Sequence, residues 1–363
     1  MITNDAIKKS RLSAALSLLD ESGLVNGKDE ISPALVKNIL NIRYGLEGEL
    51  RRLPTEKDDS FILTCDGGHR LVKISSSGES RGVVEMQSAV MEWLNNHTSA
   101  WEVQNVITTL DGESIVPIQT KSVRYLRVLT YISGDIMATV PVDEEQLILT
   151  GRAAGEIDMA LRGFAHQHDL HPLVWDLANV PTLEILQEEL TDENLRALAA
   201  EAFERFTRNV VPLMGELETQ VIHGDFSPYN VLVSAESADF VSGIIDFGDA
   251  VRTCVIFEPA VSVCNLLGKW ADDPWGAPLA YLRGYLSSYQ MSPAHAVLIA
   301  DAATARLALR AVVSQWRAQR LPDRREYIES HAKHDRDNLA MALATPVSDV
   351  QARIHHLSAT SSF

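Results

Sequence analysis

His223-Gly224-Asp225-Phe226-Ser227-Pro228-Tyr229-Asn230 is followed, sixteen residues after its last member, by Asp246-Phe247-Gly248, and these two segments decide how the rest of the chain is read. A His, an Asp two positions later and an Asn five beyond that have the spacing of a loop that catalyses phosphoryl transfer. The chemistry accounts for each residue type. A hydroxyl nucleophile needs a carboxylate that can accept its proton, a role that Asp225 fits. A nucleoside triphosphate needs oxygen ligands that hold magnesium against its charge, which Asn230 and Asp246 can supply. Val231-Leu232-Val233 and residues 243–247 are short β-type runs, and pairing them as a hairpin predicts that Asn230 and Asp246 meet at one end.

Outward from this point the chain changes character twice. Before it, residues 44–53, 60–66 and 70–75 are rich in strand formers, and Asp66-Gly67-Gly68-His69 between the last two suits a tight hairpin turn. Residues 81–94 place Val83, Met86, Val90 and Leu94 at helical spacing, and further strands are expected near 103–110 and 125–131. After Ser133-Gly134, residues 142–165, 182–190 and 193–219 carry apolar positions three or four apart, and residues 256–345 are again helical. The sequence therefore predicts an α+β, bilobal, protein-kinase-like fold. Its parts are an N-terminal helical segment (1–40), a small nucleotide-binding lobe with an antiparallel sheet (41–133), a large mainly helical catalytic and substrate-binding lobe (134–345) and a C-terminal tail (346–363), whose residues from 348 onward are expected to fray. A cleft between lobes is a common ligand site.

The first half supplies partners for the loop. Lys73 lies inside the apolar strand Leu71-Val72-Lys73-Ile74, where it can reach phosphate, and Glu85 on the following helix is expected to hold it through an ion pair. Tyr131 and Ile132, where the sheet gives way to the helices, are expected to bond an adenine through backbone groups. No GxGxxG loop is present; the first strand opens on Tyr44-Gly45-Leu46-Glu47-Gly48. His166, Gln167, His168, Asp169 and His171 crowd imidazoles beside a carboxylate, but with no second ligand cluster they read as a polar helix end. Trp175 and Asp176 are candidate substrate contacts, with core packing and helix capping as their alternatives.

The 363 residues carry 49 acidic against 32 basic side chains, a formal charge of -17. That balance disfavours nucleic acid and attracts small cations. No apolar run of about 18 residues could span a bilayer, no secretory signal opens the chain, and three cysteines without zinc spacing suit a reducing, cytoplasmic setting.

The catalytic-loop residues, Lys73 and the missing glycine loop resemble the aminoglycoside phosphotransferase and choline kinase superfamily over roughly residues 40–320. Tyr44-Gly45-Leu46-Glu47-Gly48, the stretch from Leu53-Pro54 through Lys57-Asp58-Asp59 to Phe61, and Phe164-Ala165-His166 followed by Trp175-Asp176-Leu177 are most similar to hydroxylysine kinases within it. The resemblance implies Mg2+ with ATP or GTP as donor, and a small cationic hydroxylated acceptor, 5-hydroxylysine first. Homoserine, choline or ethanolamine, and an aminoglycoside are the alternatives, and a nucleotide-binding module without turnover is a rival of another class. It also implies that Asp249 and Glu258 surround the amine, although Phe257-Glu258-Pro259-Ala260 stands where relatives carry a Tyr-Asp-Leu-Ala type of sequence.

Overall fold

A computed structural model of the chain describes residues 4–25, 30–98 and 100–360. Three strands, β1 (Gly48–Leu53), β2 (Asp59–Cys65) and β3 (Gly68–Ile74), form an antiparallel meander. The β2–β3 turn places Gly67 and Gly68 at φ +89° and +103°, which glycine adopts without strain. After β4 (Glu102–Val103), β5 (Val106–Ile107) and β6 (Val116–Gln119), the long strand β7 (Val123–Thr130) pairs antiparallel with β3, β5 and β6 and completes the sheet.

The period-two geometry of a strand assigns the sheet two faces. Phe61, Leu63, Val72, Ile74, Leu126 and Val128 bury one face against Ile31, Val36, Leu40 and Tyr44. The other face carries the cross-strand row Ser60, Lys73 and Arg127. Arg127 is fixed there by the helix Arg81–His97, donating to Gln87 Oε1 at 2.7 Å and to the Val84 carbonyl at 3.2 Å. The polar row is thus aimed at the interlobe cleft.

Strands β8 (Asp135–Ile136), β9 (Thr219–Ile222), β10 (Val231–Val233), β11 (Val241–Ile244) and β12 (Val251–Cys254) are set among long helices. The expected hairpin is β10–β11, with Val231 opposite Ile244 and Leu232 opposite Gly243. It is flanked by β8 and by β4, which runs parallel to β11 and so ties the first half of the chain to the catalytic hairpin. The helix Ile299–Arg320 is buried over most of its length and forms one wall of the cleft.

Two expectations are corrected. The tail does not fray from 348: Val347–Thr360 is a helix that buries Val350, Ile354 and Ser358, because its apolar face has a core to cover. Nor is the N-terminal segment one unit. The helix Asn4–Glu21 gives Ala15 and Leu19 to the large core and pairs Lys8 and Arg11 with Glu188 and Glu184, whereas Val36 and Leu40 belong to the small-lobe core. Among the described residues, no helix is long and apolar enough to cross a membrane.

Candidate active site

Strand β9 delivers His223 into the protein interior, where it is fully buried. Burial pushes its imidazole down to about 4. The neutral ring can then donate from Nε2 to the Ile245 carbonyl at 3.1 Å and accept the Asp225 amide at Nδ1, at 3.2 Å. Gly224 makes the turn at φ +77°, and a Cβ there would lie 2.2 Å from the Asp249 carbonyl oxygen. Asn230 closes the loop, donating through Nδ2 to the Asp225 carbonyl at 2.9 Å and to its Oδ2 at 2.6 Å. The Ile245 amide donates to the Asn230 carbonyl at 3.0 Å, so the two ends of the hairpin are locked together.

Asp246 follows in a left-handed conformation (φ +63°) and accepts the Gly248 amide at 3.1 Å. Lys73 reaches across from β3 to form an ion pair with Asp246, and Asp58 lies 3.4 Å from the same ammonium. Burial alone would raise the Asp246 carboxyl, but Lys73 outweighs it and holds the group down at about 2. About half of the Asp246 side chain remains open to the solvent of the cleft, which screens the pair. Burial would likewise discharge Lys73, and Asp246 and Asp58 instead keep its pKa raised.

Glu85 does not hold Lys73. It sits on the outer part of its helix and pairs with Arg81 at 2.8 Å, one turn earlier, whereas Gln87 occupies the buried cleft side. Asp58, in the turn between β1 and β2, stands beside the lysine in its place and accepts the Ser76 amide at 3.1 Å.

The cleft has two chambers. One, of about 370 Å³, is an apolar slot between Leu53, Ile62, Leu71, Leu129, Ile132 and Leu232, with Tyr131 also on its wall. The other, of about 380 Å³, is lined by Glu56, Lys57, Asp225, Asp249, Arg306 and Trp175. They meet at a shared wall of Thr55, Ser60, Lys73, Asn230, Asp246 and Gly248. Asp225 belongs to the polar chamber, where burial first and the Asp249 charge second push its carboxyl up to about 8. Burial also raises Asp249, to about 6, against the opposing charge of Lys57, whose Nζ lies 3.8 Å away.

Two residues expected as substrate contacts, Glu258 at the amine and Asp176, are elsewhere. Glu258 lies in a fully buried helix start beneath the catalytic loop, where its Oε2 accepts the Gly224 amide at 3.0 Å and burial raises its carboxyl to about 7. Asp176 caps the short helix Leu177–Asn179 through the Ala178 amide and accepts the Thr253 hydroxyl at 2.8 Å, while its neighbour Trp175 does face the chamber.

Sequence reading missed the turn at residues 54–58 and the arginines of the helix Ile299–Arg320. The turn is strapped to the large lobe: Glu56 pairs with Arg317 at 2.5 Å and accepts the Trp175 indole N–H at 3.2 Å, and Arg324 donates to the Thr55 and Glu56 carbonyls. Arg306, Arg310 and Arg317 fall near one helix face, a spacing visible in Ala305-Arg306-Leu307-Ala308-Leu309-Arg310 but meaningless until the helix is placed at the cleft.

A sheet lobe over a helical lobe, with a lysine, an aspartate pair and an asparagine converging between an apolar slot and a charged chamber, defines a bilobal kinase-like phosphotransferase. Residues 49–298 match the phosphotransferase enzyme family, and the chain belongs to it. It is 26% identical over 325 residues to a mouse (Mus musculus) hydroxylysine kinase, covering 83% of this chain and 85% of that one. It is 25% identical over 342 residues to a Xenopus laevis hydroxylysine kinase, covering 86% and 90%. A solved microcompartment-associated aminopropanol kinase shares the fold with a TM-score of 0.69 at 15% identity, covering 90% of this chain and all (100%) of that one. An amicoumacin kinase solved in complex with AMP-PNP, Ca2+ and Ami gives a TM-score of 0.65 at 13% identity, covering 87% and 95%. The chain is a small-molecule kinase, a phosphotransferase acting on a hydroxyl acceptor.

Proposed function

We propose that this kinase transfers the γ-phosphoryl group of ATP or GTP to the hydroxyl of a small cationic acceptor, with 5-hydroxylysine the first choice. The observation that carries the reading is the meeting of the two chambers at Lys73, Asn230 and Asp246, with Asp225 on the far side. The apolar slot suits a base stacked between aliphatic side chains, with Tyr131 and Ile132 at its edge. Its inner end carries the charges that a triphosphate needs.

The donor set at that end fits magnesium. Asp246 is ionised at neutral pH and Asn230 offers an amide oxygen. Magnesium is commonly held this way, by one or two protein oxygens together with waters and phosphates. When bound, it would neutralise charge on the phosphates. Lys73 would turn its ammonium to the phosphates and remain neutralised by Asp58 on its other side. Asp225, oriented by Asn230, would accept the proton of the acceptor hydroxyl in the polar chamber. Asp249 and Glu56 would favour an ammonium group there, and the hydroxylysine kinase relatives favour an amine-bearing acceptor.

A coupled ADP-release assay with ATP and GTP tests the reading over hydroxylysine, homoserine, choline, ethanolamine and an aminoglycoside. Hydroxylysine should lead by at least about tenfold in kcat/KM, roughly 1.4 kcal/mol of transition-state discrimination. A preference for another acceptor overturns the substrate assignment. Nucleotide binding with no turnover of any acceptor overturns the catalytic one.

A further inference from the structure

The polar chamber holds five cations, and four of them are spoken for. Lys73 is paired with Asp246, and Lys57 with Glu79 and Asp249. Arg310 is gripped by both carboxylate oxygens of Asp335, at 2.7 and 2.8 Å, and by Asn265. Arg317 is divided between Glu56 and the Leu24 carbonyl. Arg306 is different. Only 5% of it is exposed, yet among the described residues its Nε and Nη1 are buried with no hydrogen-bond partner and no carboxylate closes an ion pair with it, although Asp225 and Asp249 feel its charge.

A buried guanidinium is seldom left in this state, because its desolvation goes uncompensated. Here the group is also held in place. It lies 4.8 Å over the ring of Trp175, whose indole N–H is itself anchored on Glu56. Stacking on a ring leaves the in-plane N–H groups of the guanidinium free, and either edge that includes Nη2 matches the two oxygens of a carboxylate. Arg306 lines the chamber that contains Asp225 and is absent from the wall of the apolar slot, so a group that reaches the guanidinium from the cleft comes from the side of Asp225.

We propose that Arg306 is the receptor for a carboxylate on the phosphoryl acceptor, and that the acceptor is therefore a hydroxylated amino acid and not a simple amino alcohol. The proposal rests on the reading of the polar chamber as the acceptor site. One end of the molecule would be fixed by Arg306 and its ammonium by the chamber's carboxylates, which leaves the hydroxyl to be presented to Asp225. Choline, ethanolamine and aminoglycosides offer Arg306 no carboxylate, so its charge would stay uncompensated on binding them.

Matched acceptors test this: 5-hydroxylysine against its decarboxylated counterpart 1,5-diaminopentan-2-ol, and homoserine against 3-aminopropan-1-ol. Each is assayed with the wild type, Arg306→Leu and Arg306→Lys. The wild type should favour the better amino acid over its own amine by about a hundredfold in kcat/KM, the scale on which a site with buried polar groups rejects an analogue that cannot pair them. Arg306→Leu should erase that preference by lowering the amino acid far more than the amine, with the nucleotide KM held within about threefold, while Arg306→Lys retains part of it. Equal treatment of amino acid and amine by the wild type overturns the proposal. So does an equal loss on both acceptors in Arg306→Leu, which would make the residue structural, or a loss confined to nucleotide KM, which would make it a phosphate contact. Calorimetry with L-lysine and cadaverine, neither of which can be phosphorylated on a hydroxyl, decides the matter independently of turnover. Tighter binding of lysine, lost in Arg306→Leu, supports the carboxylate receptor even if hydroxylysine is not the acceptor; equal binding of the two refutes it.

Discussion

Replacing Asp225 by Asn separates proton acceptance from everything else the catalytic loop does. In the native loop, Asp225 Oδ2 takes the Asn230 amide at 2.6 Å. A carboxamide can keep its oxygen on that contact, but it must then turn its NH2 toward the chamber. A donor would face the acceptor hydroxyl where a proton acceptor is required. Positioned general bases are worth about 10² to 10⁴ in rate, so Asp225→Asn should lower kcat by at least about a hundredfold, or roughly 2.7 kcal/mol in the barrier. Asp225 takes no part in the apolar slot, so the affinity for magnesium-nucleotide, measured by calorimetry, should stay within about twofold. The pH profile supplies a second readout. Burial and the Asp249 charge lift the Asp225 carboxyl to about 8, and only its ionised form can accept a proton. Wild-type kcat/KM should therefore climb with pH below about 8 and level off above it, and this limb should be missing from Asp225→Asn. Asp249→Asn, by removing the like charge, should move the inflection to lower pH. Turnover of Asp225→Asn within tenfold of wild type, or a wild-type profile flat from pH 6 to 9, would refute the assignment of Asp225 as base.

Asp246→Ala removes the proposed magnesium ligand and the partner of Lys73 together, so calorimetry should find magnesium-nucleotide binding weakened about tenfold or more, unlike Asp225→Asn; equal affinities would contradict the division of roles. Glu258→Gln keeps an oxygen for the Gly224 amide and lies outside the chamber, so the KM for the amine acceptor should be unchanged, whereas an increase would return Glu258 to the substrate site. Gly224→Ala forces a side chain into the left-handed region and against the Asp249 carbonyl, which should cost about 2 kcal/mol or more in urea unfolding and disturb turnover; an unaltered midpoint would show that the loop gives way there.

The parts of the site that were legible in the sequence are those whose geometry is local. Asp225 and Asn230 lie five residues apart in one turn, and Asp246 is brought to them by a hairpin whose two strands could be read from their β-type composition. Lys73 could be recognised because a lysine between Val72 and Ile74 must leave the core face of its strand, and the cleft is what lies on the other face. Glu85 and Glu258 misled because a side chain's direction around a helix depends on which face the helix buries. The helix Arg81–His97 turns Gln87 inward and leaves Glu85 to Arg81, and the start of the helix Phe257–Leu266 is buried on all sides, so its carboxylate meets the loop's backbone instead of solvent.

The amino-acid sequence by itself determined the class of fold, the hairpin that joins Asn230 to Asp246 and the phosphotransferase class, because strand alternation, turn residues and loop spacing act over a few residues and need no distant partner. Only the tertiary structure decided what surrounds that chemistry. Asp58 reaches Lys73 from a turn fifteen residues earlier, Glu56 straps that turn to Arg317, and Arg306 comes to the polar chamber from a helix eighty-one residues after Asp225. Whether an arginine is satisfied or left waiting for an anion depends on every chain segment packed around it, and no local pattern records that.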